Sequence, residues 1–433
     1  MGYNQDDSHS QLIENITKVY MQAELIIIGN ELLNGKIKDK NIHYFSKFCF
    51  KNNLDLYQVQ IIKDTKEALH NALDIAFKRS DFVLTTGGLG PTKDDQTKEL
   101  LAQYFNKEIN FSKRALEITQ AHYKRGKREF NKETNLYPNI PDDFLPLSNP
   151  TGYAPGLLYK FEDKKILAAT PGIPREFQTM LDEVVSPLLP TNNSFSKHII
   201  IKTNRIAESK IFNELCPNLW EELQVFGEVS SLPHPLGVDI AVVINKPHDE
   251  DKVLSLIDKS KLKDHIWHIG ADLLEEVIIK EATLKKLKIG FAESCTGGLC
   301  ASRITDISGS SSVFWGSIIS YSNEVKIRSL NVKEETLNHF GAVSAEVAKE
   351  MAVGALENMN LDIAITTTGI AGPGGGSKEK PVGTVGIGFA TKEKSDSKIY
   401  HFSGNNNDRE GFKFKFSQAA LFKLLEVIRA YDS

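Results

Sequence analysis

The chain has 433 residues, 41% hydrophobic and 25% charged, an ordinary globular balance with material for two or three domains. Its 52 basic and 56 acidic residues give a net charge of −4, which argues against a protein that grips nucleic acid over its whole surface. There is no run of about 18 apolar residues to span a membrane. The four cysteines form neither a disulfide framework nor a paired C-x-x-C zinc pattern, so we expect a soluble, cytoplasmic protein.

Residues 1–20 are polar, lack the apolar core of a secretory signal and read as an extension outside the fold. From Ala23 onward strand and helix alternate. AELIIIG (23–29) is a continuous apolar run ending in glycine, as in a buried parallel strand. Ile42, Phe45, Phe48 and Cys49 have helical spacing, 56–62 reads as strand, and Leu69, Leu73, Ala76 and Phe77 mark one face of a helix. DFVLTTGG (81–88) is a strand running into glycines, and KILAATPG (165–172) is a strand before a helix near Arg175. The alternation predicts an open, mostly parallel α/β sheet, whose ligands sit beyond the carboxyl ends of the strands.

Residues 190–265 predict a small α+β module: a strand at 198–203, a helix over 207–224, a loop SSLPHPLG (230–237), a strand at 238–245 and a helix near 250–260. His234 in that loop is a solvated side chain or a ligand. A further α/β unit starts near Ala271. It has strands at 288–294, 313–322 and 361–369, a helix at 345–359, adjacent strands at 382–390 and 398–403, and a last helix over 408–430.

Two strings carry chemistry in the first unit. GGLGPTKDDQT (87–97) follows a strand and precedes a helix, so the amides of its glycine turn form a phosphate cradle from Gly87, Gly88, Gly90 and Thr92. Asp94 and Asp95 are candidates for holding a divalent metal or activating a water, or else plain helix caps. GNELLNGKIKDKN (29–41) brings Glu31 and Asp39 to the same end of the sheet.

In the last unit, AESCTGG (292–298) sets Ser294 at a strand end, with Thr296, Gly297 and Gly298 opening a helix. A serine there exposes its hydroxyl beside amides that can form an oxyanion hole, unless it merely caps the helix. A nucleophile needs a base, and His339 only ends a helix. SYSNEVK (320–326) instead supplies Tyr321, Asn323 and Lys326 just past a strand, and a desolvated lysine can replace the histidine of a serine triad. TTTGIAGPGGGS (366–377) holds Thr368, Gly369, Ala371, Gly372 and Gly374 in a loop suited to wrapping a phosphate or an amide.

Together these strings resemble the CinA family of competence/damage-inducible proteins from Met21 onward. GNELLNG, GGLGPTKDD, NPTGYAPG (149–156) and TPGIPREF (170–177) are similar to the molybdopterin-binding-like domain over 21–189. Residues 190–268 resemble a small KH-like module, and AESCTGG, GSIISYSNEVK and TTGIAGPGGG over 269–433 resemble the nicotinamide mononucleotide (NMN) deamidase PncC. The fold so implied is two α/β domains joined by an α+β KH-like module.

The resemblance implies hydrolysis of NMN to nicotinic acid mononucleotide and ammonia, a step of pyridine nucleotide recycling that needs no cofactor. Ser294 is then the nucleophile and Lys326 its base, with Tyr321 supporting proton transfer. Thr296, Gly297, Gly298, Asn323 and the 368–376 loop bind substrate, and Arg409 matches a basic family position that meets phosphate or a second subunit. For the first unit it implies ADP-ribose pyrophosphatase activity with magnesium or a similar metal, and for the whole chain a homodimer. This chain departs from the family's GDEL string at Asn30 and from its D-T-N string at Lys40, which weakens metal binding and favours a unit that binds nucleotide without cleaving it. A nucleic-acid-binding competence factor is a third reading, against which stand the acidic balance and the lack of a G-x-x-G clamp in 205–225.

Overall fold

The computed structural model describes residues 21–92, 95–131, 135–162, 165–189 and 197–431, so the extension at 1–20 lies outside the described residues. The chain divides after Ser196 into two compact units.

The first unit contains β1 (Met21–Ile28), β2 (Leu54–Ile62), β3 (Phe82–Thr86), a short pair β4 (Ile109–Phe111) and β5 (Asn139–Pro141), then β6 (Leu145–Leu147), β7 (Gly156–Phe161) and β8 (Lys165–Thr170). Six strands form one sheet in the order β2-β1-β3-β8-β7-β6, the first four parallel and the last two antiparallel. Alternate residues of β1 enter different cores. Ala23, Leu25 and Ile27 pack with Phe45 and Phe48 of helix Asn41–Lys51, while Ile26 and Ile28 pack with Leu69, Leu73 and Phe77 of helix Lys66–Arg79. Burial on both faces explains why β1 reads as an unbroken apolar run, each large side chain adding about 1.5–3 kcal/mol of transfer free energy. Glu24 on β1 is fully buried, but Arg79, Gln60 and Ser80 all donate to its carboxylate, which makes it a core ion pair.

The second unit begins with a four-stranded antiparallel sheet, β10-β11-β9-β12, built from β9 (Lys197–Thr203), β10 (Gly227–His234), β11 (Gly237–Ile244) and β12 (Ile266–Ile269). Two expectations are corrected here. SSLPHPLG is not a loop: it forms the end of β10, a tight turn at Pro235–Leu236, and the start of β11. Pro233 is tolerated because β10 is an edge strand, where a missing N–H breaks no ladder. The helix expected over 207–224 is broken into Glu208–Lys210, a wide turn Ile211–Leu215 and helix Leu219–Gln224. Pro217 drives Cys216 out of helical geometry, to φ −141 and ψ 66.

A five-stranded sheet follows, ordered β14-β13-β15-β16-β17, from β13 (Ile289–Glu293), β14 (Phe314–Ile319), β15 (Ile363–Gly369), β16 (Thr384–Thr391) and β17 (Ser395–His401). The first three strands are parallel and the last two antiparallel. Phe291, Ile365 and Ile387 pack against Phe416, Leu421 and Leu425 of the final helix Arg409–Arg429. Among the described residues no helix is long and apolar enough to cross a membrane.

Candidate functional site

In the second unit, strands β13, β14 and β15 end together, and their next residues are pinned across the sheet. The Ser294 amide donates to the Thr367 carbonyl at 2.9 Å, and the Ser320 amide to the Glu293 carbonyl at 2.8 Å. The Ser322 hydroxyl then caps helix Asn323–Leu330 through the Val325 amide, which ends the β14 segment earlier than its sequence predicts and turns Lys326 inward. Lys326 is 1% exposed and Ser294 8% exposed. The Lys326 Nζ lies 3.1 Å from Ser294 Oγ and donates to the carbonyls of Ser320 at 2.9 Å and Tyr321 at 3.3 Å. No carboxylate pairs with it among the described residues, and burial lowers its pKa from the ordinary 10.5.

The turn after Ser294 is held from below. Glu293 is fully buried, and its carboxylate accepts from the amides of Gly298, Cys300 and Ala301 at 2.9–3.0 Å and from the Ser317 hydroxyl at 3.0 Å. A carboxylate at the start of helix Leu299–Thr305 answers the helix dipole and several orphan amides at once. The sequence reading passed over Glu293, although an acid directly before a glycine turn and a helix start is a readable signal. The Gly297 amide donates to the Ser294 carbonyl, so of the expected Thr296–Gly298 cradle two amides are already engaged. The Thr296 amide has no acceptor among the described residues, while its hydroxyl bonds Thr367 Oγ1 at 2.7 Å. Burial pushes the Cys295 thiol up to about 12, so it does not compete with Ser294 as a nucleophile.

The side chains of the other predicted residues ring the pair without bonding to it. The Tyr321 hydroxyl is turned away: Arg409 donates to it at 3.0 Å and to the Gly372 carbonyl at 2.6 Å, so Tyr321 reaches Lys326 only through its backbone carbonyl. The Thr368 hydroxyl donates to the Ala342 carbonyl at 2.7 Å. Asn323 is exposed at its helix start, Gly369 ends β15, Ala371 is buried, and Gly374 borders open space. His339 is exposed and meets the Phe340 ring edge to face. His234 is a hairpin residue, its Nε2 3.5 Å from Asp239.

In the first unit, the loops after β1, β3 and β8 border a cavity of about 760 Å³ lined by Glu31, Gly87, Gly88, Gly90, Tyr123 and Tyr153, among others. Gly87, at φ 109, admits no side chain, since a β-carbon would stand 2.3 Å from the Ile28 carbonyl oxygen. Tyr123 and Tyr153 meet edge to face, and the Arg128 guanidinium lies 4.9 Å from the Tyr153 ring. None of these three was singled out from sequence. The Asp95 carboxylate accepts from the Thr92 amide and hydroxyl, and Asp39 caps helix Asn41–Lys51 through the Ile42 amide. Asp94 lies outside the described residues. Among the described residues no three His, Cys, Asp or Glu side chains converge as a metal site.

A chain of two units, the first with a glycine-lined cavity and the second, later in sequence, with a buried serine–lysine pair at parallel strand ends, defines the class of protein. Residues 24–191 match the model of a probable molybdopterin binding domain and residues 271–428 that of the CinA C-terminal domain. A competence-damage inducible protein of Caldicellulosiruptor saccharolyticus is 40% identical over 95% of this chain and 100% of its own length. A CinA-like protein of Kosmotoga olearia is 36% identical over 95% of this chain and 99% of its own. The chain belongs to the CinA family of competence-damage inducible proteins. A solved competence/damage inducible protein from Agrobacterium tumefaciens is 37% identical, covering 36% of this chain and 99% of that one, with a TM-score of 0.34.

Proposed function

We propose that the second unit is an amidohydrolase that converts NMN to nicotinic acid mononucleotide and ammonia. The observation that carries this reading is a buried lysine with no carboxylate partner among the described residues, 3.1 Å from a serine hydroxyl at a strand end. A neutral amine has two hydrogens and one lone pair. The carbonyls of Ser320 and Tyr321 take both hydrogens, which leaves the lone pair for the Ser294 proton.

Lys326 then removes that proton while Ser294 Oγ bonds to the carboxamide carbon, and the carbonyl oxygen becomes an oxyanion facing the Thr296 amide. The lysine returns the proton to the amide nitrogen, the C–N bond breaks and ammonia leaves. A water, deprotonated by the same amine, cleaves the resulting ester and frees the acid and the serine. The test is ammonia release from NMN by the purified chain, with Ser294→Ala as control. Equal release by the two proteins overturns the reading.

For the first unit we read nucleotide binding without hydrolysis, because Asp95 and Asp39 are tied to local amides and Asn30 replaces an acid. Titration of ADP-ribose with and without magnesium, followed by product analysis, tests it. Magnesium-dependent cleavage would restore the pyrophosphatase reading.

A further inference from the structure

The final helix begins beside the glycine loops of the second unit, and its first turns carry a cation that the serine–lysine chemistry does not use. Lys413 lies four residues after Arg409, one turn along the same helix face. Its Nζ comes within 3.9 Å of where a β-carbon on Gly297 would stand, which sets the ammonium beside the turn that follows Ser294. Lys413 is half-buried, and among the described residues neither a carboxylate nor a hydrogen-bond acceptor pairs with it. Its neighbours on the helix are answered: Lys415 donates to the Ser403 carbonyl at 2.8 Å, and Lys423 bonds Glu426 at 3.4 Å. Arg409 is likewise engaged, by Gly372 and Tyr321.

An ammonium drawn partly out of water with no counter-charge loses free energy unless an anion completes it. Gly297, at φ 62, puts no side chain between that ammonium and the turn that follows Ser294. A phosphate monoester completes such a cation through a short, charge-assisted hydrogen bond.

We propose that Lys413, with the Gly297 turn, is the receptor for the phosphate monoester of the substrate, so that the site separates a mononucleotide from its nucleoside. This rests on the serine–lysine reading, since the carboxamide occupies the Ser294–Lys326 pair while the phosphate at the other end of the same molecule meets Lys413. A contact present equally in ground and transition states acts on KM and leaves kcat unchanged.

The experiment compares the full chain with Lys413→Ala and Lys413→Arg, using NMN and nicotinamide riboside as substrates and inorganic phosphate as a titrant. Lys413→Ala is expected to raise KM for NMN about tenfold or more with kcat within about twofold, to leave kcat/KM for the riboside unchanged, and to be largely rescued by Lys413→Arg. Equal loss on both substrates, or an unchanged KM for NMN, overturns the proposal. Calorimetric titration with inorganic phosphate decides the same point without turnover: one site present in the wild type and missing in Lys413→Ala supports it, and identical isotherms overturn it. Should the wild type release no ammonia from NMN, the deamidase reading fails, and the calorimetry alone decides whether Lys413 receives phosphate.

Discussion

Both units gather glycine loops at the carboxyl ends of parallel strands, yet they commit their charged groups differently. In the first, the loops after β1, β3 and β8 border a cavity of about 760 Å³, and the carboxylates of Asp39 and Asp95 serve nearby amides. In the second, Lys326 is sealed in with no carboxylate partner among the described residues, touching a serine, while the fully buried carboxylate of Glu293 is saturated by four donors. Strand-end topology supplies a place for a ligand; reactivity follows from which polar group is left without a partner of opposite charge.

The largest expected effect separates the two units. Ser294→Ala should lower kcat for NMN deamidation by about a thousandfold or more while ADP-ribose binding to the first unit stays at the wild-type level. Retention of more than about a tenth of kcat would remove Ser294 as the nucleophile. Next comes the base. Lys326→Arg keeps a charge but cannot deprotonate, so it should be about as inactive as Lys326→Ala, whereas His339→Ala should match the wild type. Wild-type kcat/KM should rise with pH through one ionisation below 10.5, because only the neutral amine accepts the proton and burial favours that form. Stability carries the same sign. Between the lowered folded pKa and the unfolded value the unfolded chain binds more protons, so stability should climb with pH across that window, and Lys326→Met should flatten the climb in a pH series of melting temperatures. A flat wild-type profile would contradict the buried-amine picture.

A smaller effect is expected at Glu293. Glu293→Gln replaces an acceptor oxygen by a donor facing amides, and should cost about 3 kcal/mol in stability with a roughly tenfold to hundredfold fall in kcat. Chemical denaturation and kinetics on one preparation measure both. The smallest effect sharpens the contrast from the other side. The double variant Asp94→Asn, Asp95→Asn should leave NMN deamidation within about twofold of wild type, and abolish any ADP-ribose hydrolysis that the chain has. Loss of deamidation there would mean that the two chemistries do not belong to separate units.

Much of this was legible from sequence where local pattern and structure agree. The apolar runs of β1, β3, β8, β13 and β15 declared themselves because strands buried on both faces cannot alternate. Ser294 was readable because it directly follows such a run, and Lys326 because it shortly succeeds the strand β14. What was hidden depends on contacts between distant residues. Lys413 becomes notable only when the final helix folds against a turn more than a hundred residues earlier, and Tyr123 and Tyr153 pair across separate segments. The hairpin at Pro233 was misread because proline punctuates loops in sequence, and only sheet order reveals that β10 is an edge. The Tyr321 hydroxyl was misdirected for the same reason, since Arg409 claims it from the far end of the unit.

The carboxylate of Glu293 has a consequence for dynamics. A loop that carries a nucleophile beside glycines would ordinarily exchange its amide hydrogens with solvent quickly. Here the amides of Gly298, Cys300 and Ala301 point into a buried carboxylate at the foot of β13, so each can exchange only when that carboxylate lets go. In deuterated water these three amides should therefore be labelled on the slow timescale of the strands, while those of the exposed Gly374, Gly375 and Gly376 label at once. The nucleophile's turn should thus exchange with the sheet that carries it rather than with the exposed loops.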